Sequence, residues 1–269
     1  MPTNPTSEPK LHQQRQVAES FGADPERYDR ARPRYPQALV EQIVAATPGP
    51  EMLDVGSGTG IVARQLAAAG CKVLGVEPDA RMAEFARGTG VETEVATFEA
   101  WEPAGRQFDA IVSGQTWHWV DAVAGGAKAA QALRPGGRLV VFWNVFQPPP
   151  EVNDAFAAVY REVMPDMPVY QSVMPALEGY SVFFTKAADG IRHAAAFDEP
   201  EEWRFDWEQV YTRDDWVYQV PTFGGHHLLP PAKLNQLQEG LGAAVDAAGG
   251  SFTMSYTTVA VTATRAGAA

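Results

Sequence analysis

Cysteine is almost missing from this chain. Cys71 is the only one in 269 residues, so no internal disulfide is possible and the fold must rest on its core. At the start of an apolar run, Cys71 reads as a small core residue rather than a nucleophile. Basic residues are also scarce. Lys and Arg total 21 against 33 Asp and Glu, giving a net charge of -12 and a pI near 4.9. That balance argues against nucleic acid as a partner, because a phosphate backbone needs a basic face. No apolar run approaches the roughly 20 residues that a bilayer requires, and residues 1–10 are polar and Pro-rich with no apolar stretch of a secretion signal. The expectation is a cytoplasmic protein with no membrane partner. The adjacent His226 and His227 have no Asp, Glu or Cys cluster at ligand spacing, so no metal is expected. With 45% hydrophobic residues, the chain can bury the core of one large α/β domain with an elaboration.

What is present is a glycine loop. Met52-Leu53-Asp54-Val55-Gly56-Ser57-Gly58-Thr59-Gly60 is an apolar run that ends in an acid and three alternating glycines, the pattern of a strand stopping in a tight turn. The helix expected from Ile61 points its free amides back at that loop. A second strand, Cys71 to Val76, ends on Glu77, where a carboxylate at a strand tip can accept from both hydroxyls of a ribose. The reading is a Rossmann-like site for an adenosine ligand.

The spacing separates two such ligands. A dinucleotide register exists at Gly58, Gly60 and Ala63, but it would run the first strand through Gly56-Ser57 and place Asp54 inside it. With Gly56 as the first loop residue, Asp54 lies at the strand's end. An acid there suits the cationic ammonium of S-adenosylmethionine and would repel a pyrophosphate. An NAD-dependent oxidoreductase is the competing reading.

The chain resembles the class I S-adenosylmethionine-dependent methyltransferases, and within them the type 11 or trans-aconitate-methyltransferase-like enzymes. Asp54 to Gly60 is similar to their first motif, and Gly75-Val76-Glu77-Pro78-Asp79-Ala80-Arg81-Met82 to their second. Ala96-Thr97-Phe98-Glu99-Ala100-Trp101 resembles the loop flanking the adenine. Residues 108–120 resemble the fourth strand and its "H-W" segment, residues 133–141 the turn into the fifth strand, and residues 28–36 an N-terminal segment lying over the cofactor. The resemblance is weakest from 146 to about 197. It implies a seven-stranded, mostly parallel sheet with helices on both faces and an antiparallel last strand. An N-terminal lid at 1–47, a cofactor-binding core at 48–145, an inserted substrate cap at 146–200 and C-terminal strands with a helix at 201–269 complete the expected organisation.

The expected cofactor residues are Tyr28, Arg32, Tyr35, Asp54, Gly56, Ser57, Gly58, Gly60, Glu77, Pro78, Met82, Thr97, Phe98, Glu99, Ser113 and Trp117. Arg32 is expected to pair with the cofactor's carboxylate. Trp119, Trp143, Tyr170, His226 and His227 are candidates for contact with a small-molecule acceptor. Methyl transfer from a sulfonium is an in-line displacement that depends mainly on positioning. A hydroxyl acceptor benefits from a base and a carboxylate needs none. His118 is the candidate base, with packing between Trp117 and Trp119 as its alternative role. The acceptor atom is expected to be oxygen and the protein a monomer or homodimer. A methyltransferase fold that binds without turning over is the remaining alternative.

Overall fold

The computed structural model describes residues 21–165 and 176–267. Residues 1–20, which belong to the expected N-terminal lid, and Tyr170 lie outside the described residues. Two short helices, α1 (Pro25–Ala31) and α2 (Gln37–Ala45), precede an alternation of β1 (Glu51–Val55), α3 (Ile61–Ala68), β2 (Lys72–Glu77), α4 (Ala80–Gly88), β3 (Glu92–Val95) and β4 (Phe108–Gly114). Then come α5 (Ala122–Ala132), β5 (Leu133–Gln147), α6 (Pro150–Val163), α7 (Ala176–His193), β6 (Glu201–Thr212), α8 (Arg213–Gln219), α9 (Pro231–Ala247) and β7 (Ser251–Thr264).

The strands form one sheet in the order β3-β2-β1-β4-β5-β7-β6, parallel from β3 to β5, with β7 antiparallel to both of its neighbours. β1 and β4 are buried along nearly their whole length because both faces are covered. Leu53, Ile111 and Leu139 face α5 and α7, whereas Met52, Val112 and Phe142 face α2 and α3. Strand alternation therefore places Asp54 on the α2–α3 side. The order reverses between β1 and β4, so the loops after β1, β2 and β4 open onto one crevice at the carboxyl edge.

Local chemistry sets the boundaries. Asp79 caps α4 by accepting from the Arg81 amide, Asp121 caps α5 through the Val123 and Ala124 amides, and Thr212 and Asp215 form a reciprocal box on α8. Pro150 and Pro231 open their helices at a position where a missing N–H costs nothing. The Pro148-Pro149-Pro150 break is thus a helix entry as well as the end of β5.

The segment 146–200 divides between two places. β5 continues through Gln147, and α6 joins α8, α9 and the outer part of the β6–β7 pair in a second hydrophobic cluster. α7 instead covers the main sheet, with Phe184, Ala187 and Ile191 in the same core as Leu53 and Trp143. α5 and α7 cross backbone to backbone. A Cβ on Gly126 would stand 2.7 Å from the Gly190 carbonyl oxygen, and one on Gly190 would overlap the Ala122 carbonyl. Gly190→Ala is expected to destabilise the protein by about 2 kcal/mol, because ~3 kcal/mol of overpacking outweighs ~1 kcal/mol of helix propensity. At this chain length that is a fall of roughly 5 °C in Tm, readable by circular dichroism. A Tm equal to wild type would show that the crossing is not tight.

Candidate active site

β1 ends at Val55, so the loop begins at Gly56, the register that leaves Asp54 at the strand end. Gly56, Gly58 and Gly60 take φ of +66°, +55° and +84°, values that glycine tolerates and branched residues do not. They face different things. A Cβ on Gly56 would run into Thr116 and one on Gly60 would touch Val91, but one on Gly58 meets nothing within 4 Å. The open space at Gly58 belongs to a cavity of about 420 Å³.

One wall of that cavity is the crevice of the sheet. Gly56, Ser57 and Gly58 line it together with Glu77, Pro78, Met82, His118 and Trp119. Glu77 accepts from the Gly58 amide at 2.8 Å and from the Asp79 amide at 2.9 Å, and so ties the glycine loop to the tip of β2. Those two structural partners were not legible in the sequence. Burial pushes the Glu77 carboxyl up to about 7. Beneath the loop Asp54 is 1% exposed, and neither of its oxygens has a hydrogen bond of ordinary geometry among the described residues. Burial pushes Asp54 to about 7 as well, with the Ala63 amide opposing and Glu77 adding to the shift. Asp79 differs: burial works against its charge, but the Arg81 contacts outweigh it and hold the carboxyl below its usual range.

A lid from α1 closes one side. Arg32 donates to the Thr222 carbonyl and lies over the rings of Tyr28, Phe223 and Phe21 at 4.8, 5.2 and 5.8 Å. Arg64 pairs with Asp29, fastening α1 to α3. Tyr28 and Arg32 line the cavity, whereas Tyr35 packs edge-on against Phe142.

His118 stacks on Phe183 at 4.8 Å, and its Nδ1 accepts from the Trp143 indole N–H at 3.1 Å. An indole only donates, so a neutral ring here carries its proton on Nε2. Burial lowers His118 to about 4, which keeps it neutral at pH 7. His226, 2% exposed, also lines the cavity and is hydrogen-bonded through Nε2 to the Tyr160 hydroxyl at 3.1 Å. Burial lowers it to about 4 despite the Gly224 and Phe223 backbone working the other way. His227 is not among the lining residues.

Several expected site residues lie elsewhere. Phe98 and Trp117 are in the core beside Trp101, and Ser113 spends its hydroxyl on the Val55 carbonyl at 2.9 Å. Glu99 accepts from the Asp121 amide at 2.9 Å. Thr97 and Gly60 do not line the cavity, and Trp143, fully buried, meets His118 through its indole N–H. The sequence expectations did not include most of the wall opposite the crevice: Phe146 near the end of β5, Pro148 just after it, Asn153 and Phe156 on α6, Trp216 on α8 and Met254 on β7; Tyr160 on α6 and Phe223 stand on the same wall. Helical spacing of Asn153, Phe156 and Tyr160 was a usable signal; Trp216 and Met254 gave none.

The comparisons with known proteins agree with this geometry. A family model described as a methyltransferase domain matches residues 53–141. An uncharacterized methyltransferase of Mycobacterium tuberculosis is 34% identical over 132 residues, covering 48% of this chain and 54% of that protein. A demethylmenaquinone methyltransferase of Tropheryma whipplei is 32% identical over 145 residues, covering 52% and 60%. The chain thus spans little more than half the length of these curated relatives. A solved structure of a candidate type II methyltransferase from Anaeromyxobacter dehalogenans shares the fold, with a TM-score of 0.61 at 21% identity over 88% of this chain and 99% of that one. The match over 53–141 makes that part of the chain similar to a methyltransferase domain, and the strand order with the glycine loop at its reversal point is the fold shared with the solved methyltransferase structure.

Proposed function

We propose that the protein transfers a methyl group from S-adenosylmethionine to a small-molecule acceptor, on oxygen. The observation that carries this reading is Glu77, a buried carboxylate at the tip of β2, facing the cavity beside the open side of Gly58. The residues present would fit such a ligand: Glu77 for the ribose hydroxyls, Arg32 for a carboxylate, and Asp54, beneath the loop and not itself a lining residue, as a countercharge to an ammonium. When bound, S-adenosylmethionine supplies an electrophilic methyl group on a sulfonium. The chain's own contribution is to hold the acceptor in line with that group and keep water out. A buried acid beneath the loop disfavours the NAD reading, since a pyrophosphate would meet its charge.

His118 enters as a hydrogen-bond donor through Nε2, not as a base, because Trp143 occupies its acceptor nitrogen. His118→Gln is expected to keep turnover within about tenfold of wild type, short of the ~10²-fold or greater loss that removal of a general base brings. The check is kcat across pH 5 to 9. A larger loss together with disappearance of a limb in the profile would restore the base.

The cofactor assignment is tested by thermal unfolding with S-adenosylhomocysteine and, separately, NADH. A ligand at ~100 times its Kd adds about 2.7 kcal/mol and raises the midpoint. A rise with NADH alone overturns the assignment. A rise with S-adenosylhomocysteine and no turnover across an acceptor screen favours a binding protein on the same fold.

A further inference from the structure

We infer that the wall opposite the crevice is the acceptor site, that it takes an uncharged, flat, mainly apolar molecule bearing a hydroxyl or carbonyl, and that Asn153 selects for that polar group. The inference rests on the reading of the crevice wall as the cofactor side. The opposite wall is a set of interlocked rings. Phe156 stacks on Trp216 at 5.2 Å with planes 6° apart, Trp216 meets Phe223 at 5.6 Å, and Phe223 meets His226 at 5.6 Å. Stacked aromatic faces give a planar apolar ligand a large contact area, and rings already packed on one another lose little freedom when it binds.

Charge decides the class. Among the described residues that line the cavity, the acidic and strongly basic side chains are Arg32, Glu77 and Asp79. All three belong to the lid or the crevice, and Arg32 is held by the Thr222 carbonyl and its aromatic cage. His226 is neutral in its buried place beside Tyr160. A di- or tricarboxylate would find a single guanidinium, that of Arg32 over the Phe223 ring, which the proposed reading gives to the cofactor's carboxylate, and no second one among the described lining residues to offset its desolvation. The trans-aconitate-like acceptor implied by the sequence resemblance therefore suits this cavity poorly.

The polar side chains of that wall are Tyr160 and His226, which are hydrogen-bonded to each other, and Asn153. Asn153 stands on the same face of α6 as Phe156 and Tyr160, half-buried, and its carboxamide has no hydrogen bond within the described residues. A carboxamide both donates and accepts, so it matches a hydroxyl or a carbonyl and gives nothing to a hydrocarbon.

The test uses 1-naphthol, naphthalene and citrate as probes, titrated calorimetrically into the full chain with and without saturating S-adenosylhomocysteine. The expected result is that 1-naphthol binds, more tightly than naphthalene, and that citrate does not. In Asn153→Leu the preference for 1-naphthol over naphthalene should fall about tenfold, the size of one lost hydrogen bond, while S-adenosylhomocysteine affinity is unchanged. The ratio of two apolar probes separates recognition from a general loosening of the wall, which would weaken both. Binding of citrate without 1-naphthol, or an unchanged ratio in Asn153→Leu, overturns the proposal. If S-adenosylhomocysteine itself fails to bind, the cofactor reading falls, and the titrations without it still judge the aromatic wall.

Discussion

Glu77→Ala is expected to abolish S-adenosylhomocysteine binding in a calorimetric titration, lowering affinity by at least about two orders of magnitude. Two losses combine. In the proposed reading the carboxylate accepts from the ribose hydroxyls, and it also holds the Gly58 and Asp79 amides at 2.8 and 2.9 Å. Removing it leaves two backbone donors without their partner, at about 1–3 kcal/mol for each one that remains buried. The loop that shapes the cavity then relaxes. Glu77→Gln keeps one acceptor oxygen and should recover part of the affinity, which separates hydrogen bonding from charge. An affinity in Glu77→Ala within threefold of wild type would remove Glu77 from the site and with it the main support for the cofactor.

The second large effect has opposite signs on stability and binding. Asp54 carries an ordinary value of 3.8 up to about 7 because it is buried. A carboxyl whose folded pKa is raised binds more protons in the native state. The stability it contributes is present below the unfolded value and is lost as pH rises from about 4 through about 7. Glu77, also pushed to about 7, adds in the same direction. The ligand-free protein should therefore lose stability between pH 5 and pH 8. Asp54→Asn removes part of that slope and should make the ligand-free protein more stable than wild type at pH 8, by on the order of 2 kcal/mol given 1.36 kcal/mol per pKa unit and partial relaxation. The same change removes the countercharge for an ammonium, so S-adenosylhomocysteine affinity should fall at least about tenfold. Site and stability compete here, as they commonly do where an acid is buried for binding. Thermal unfolding of both proteins at pH 5, 6, 7 and 8, with and without ligand, checks both halves. A variant less stable than wild type at pH 8 would mean that Asp54 has a stabilising partner in the folded protein.

The core of the fold and the floor of the site were legible in the chain itself. The apolar runs at Met52 to Val55 and Lys72 to Glu77, the glycines at 56, 58 and 60, and the prolines and aspartates at helix starts act over a few residues. They impose φ angles and hydrogen bonds whatever surrounds them. Other features needed the third dimension. Ser113, Trp117 and Trp143 lie within a few residues of cavity positions in sequence, yet turn into the core, because one step along a strand or a short turn reverses the face. Whether His118 donates or accepts was set by Trp143, on the neighbouring strand. α7 became a layer of the sheet because two glycines let it approach α5, a contact between residues 126 and 190. The aromatic wall was gathered from α6, α8, the 223–226 turn and β7, more than a hundred residues of chain from first to last. Local patterning specified the ligand-binding loop by itself, because its requirements are backbone geometry. Packing between distant segments alone chose what the cavity can accept, because a wall of side chains exists only once the elements that carry them have docked.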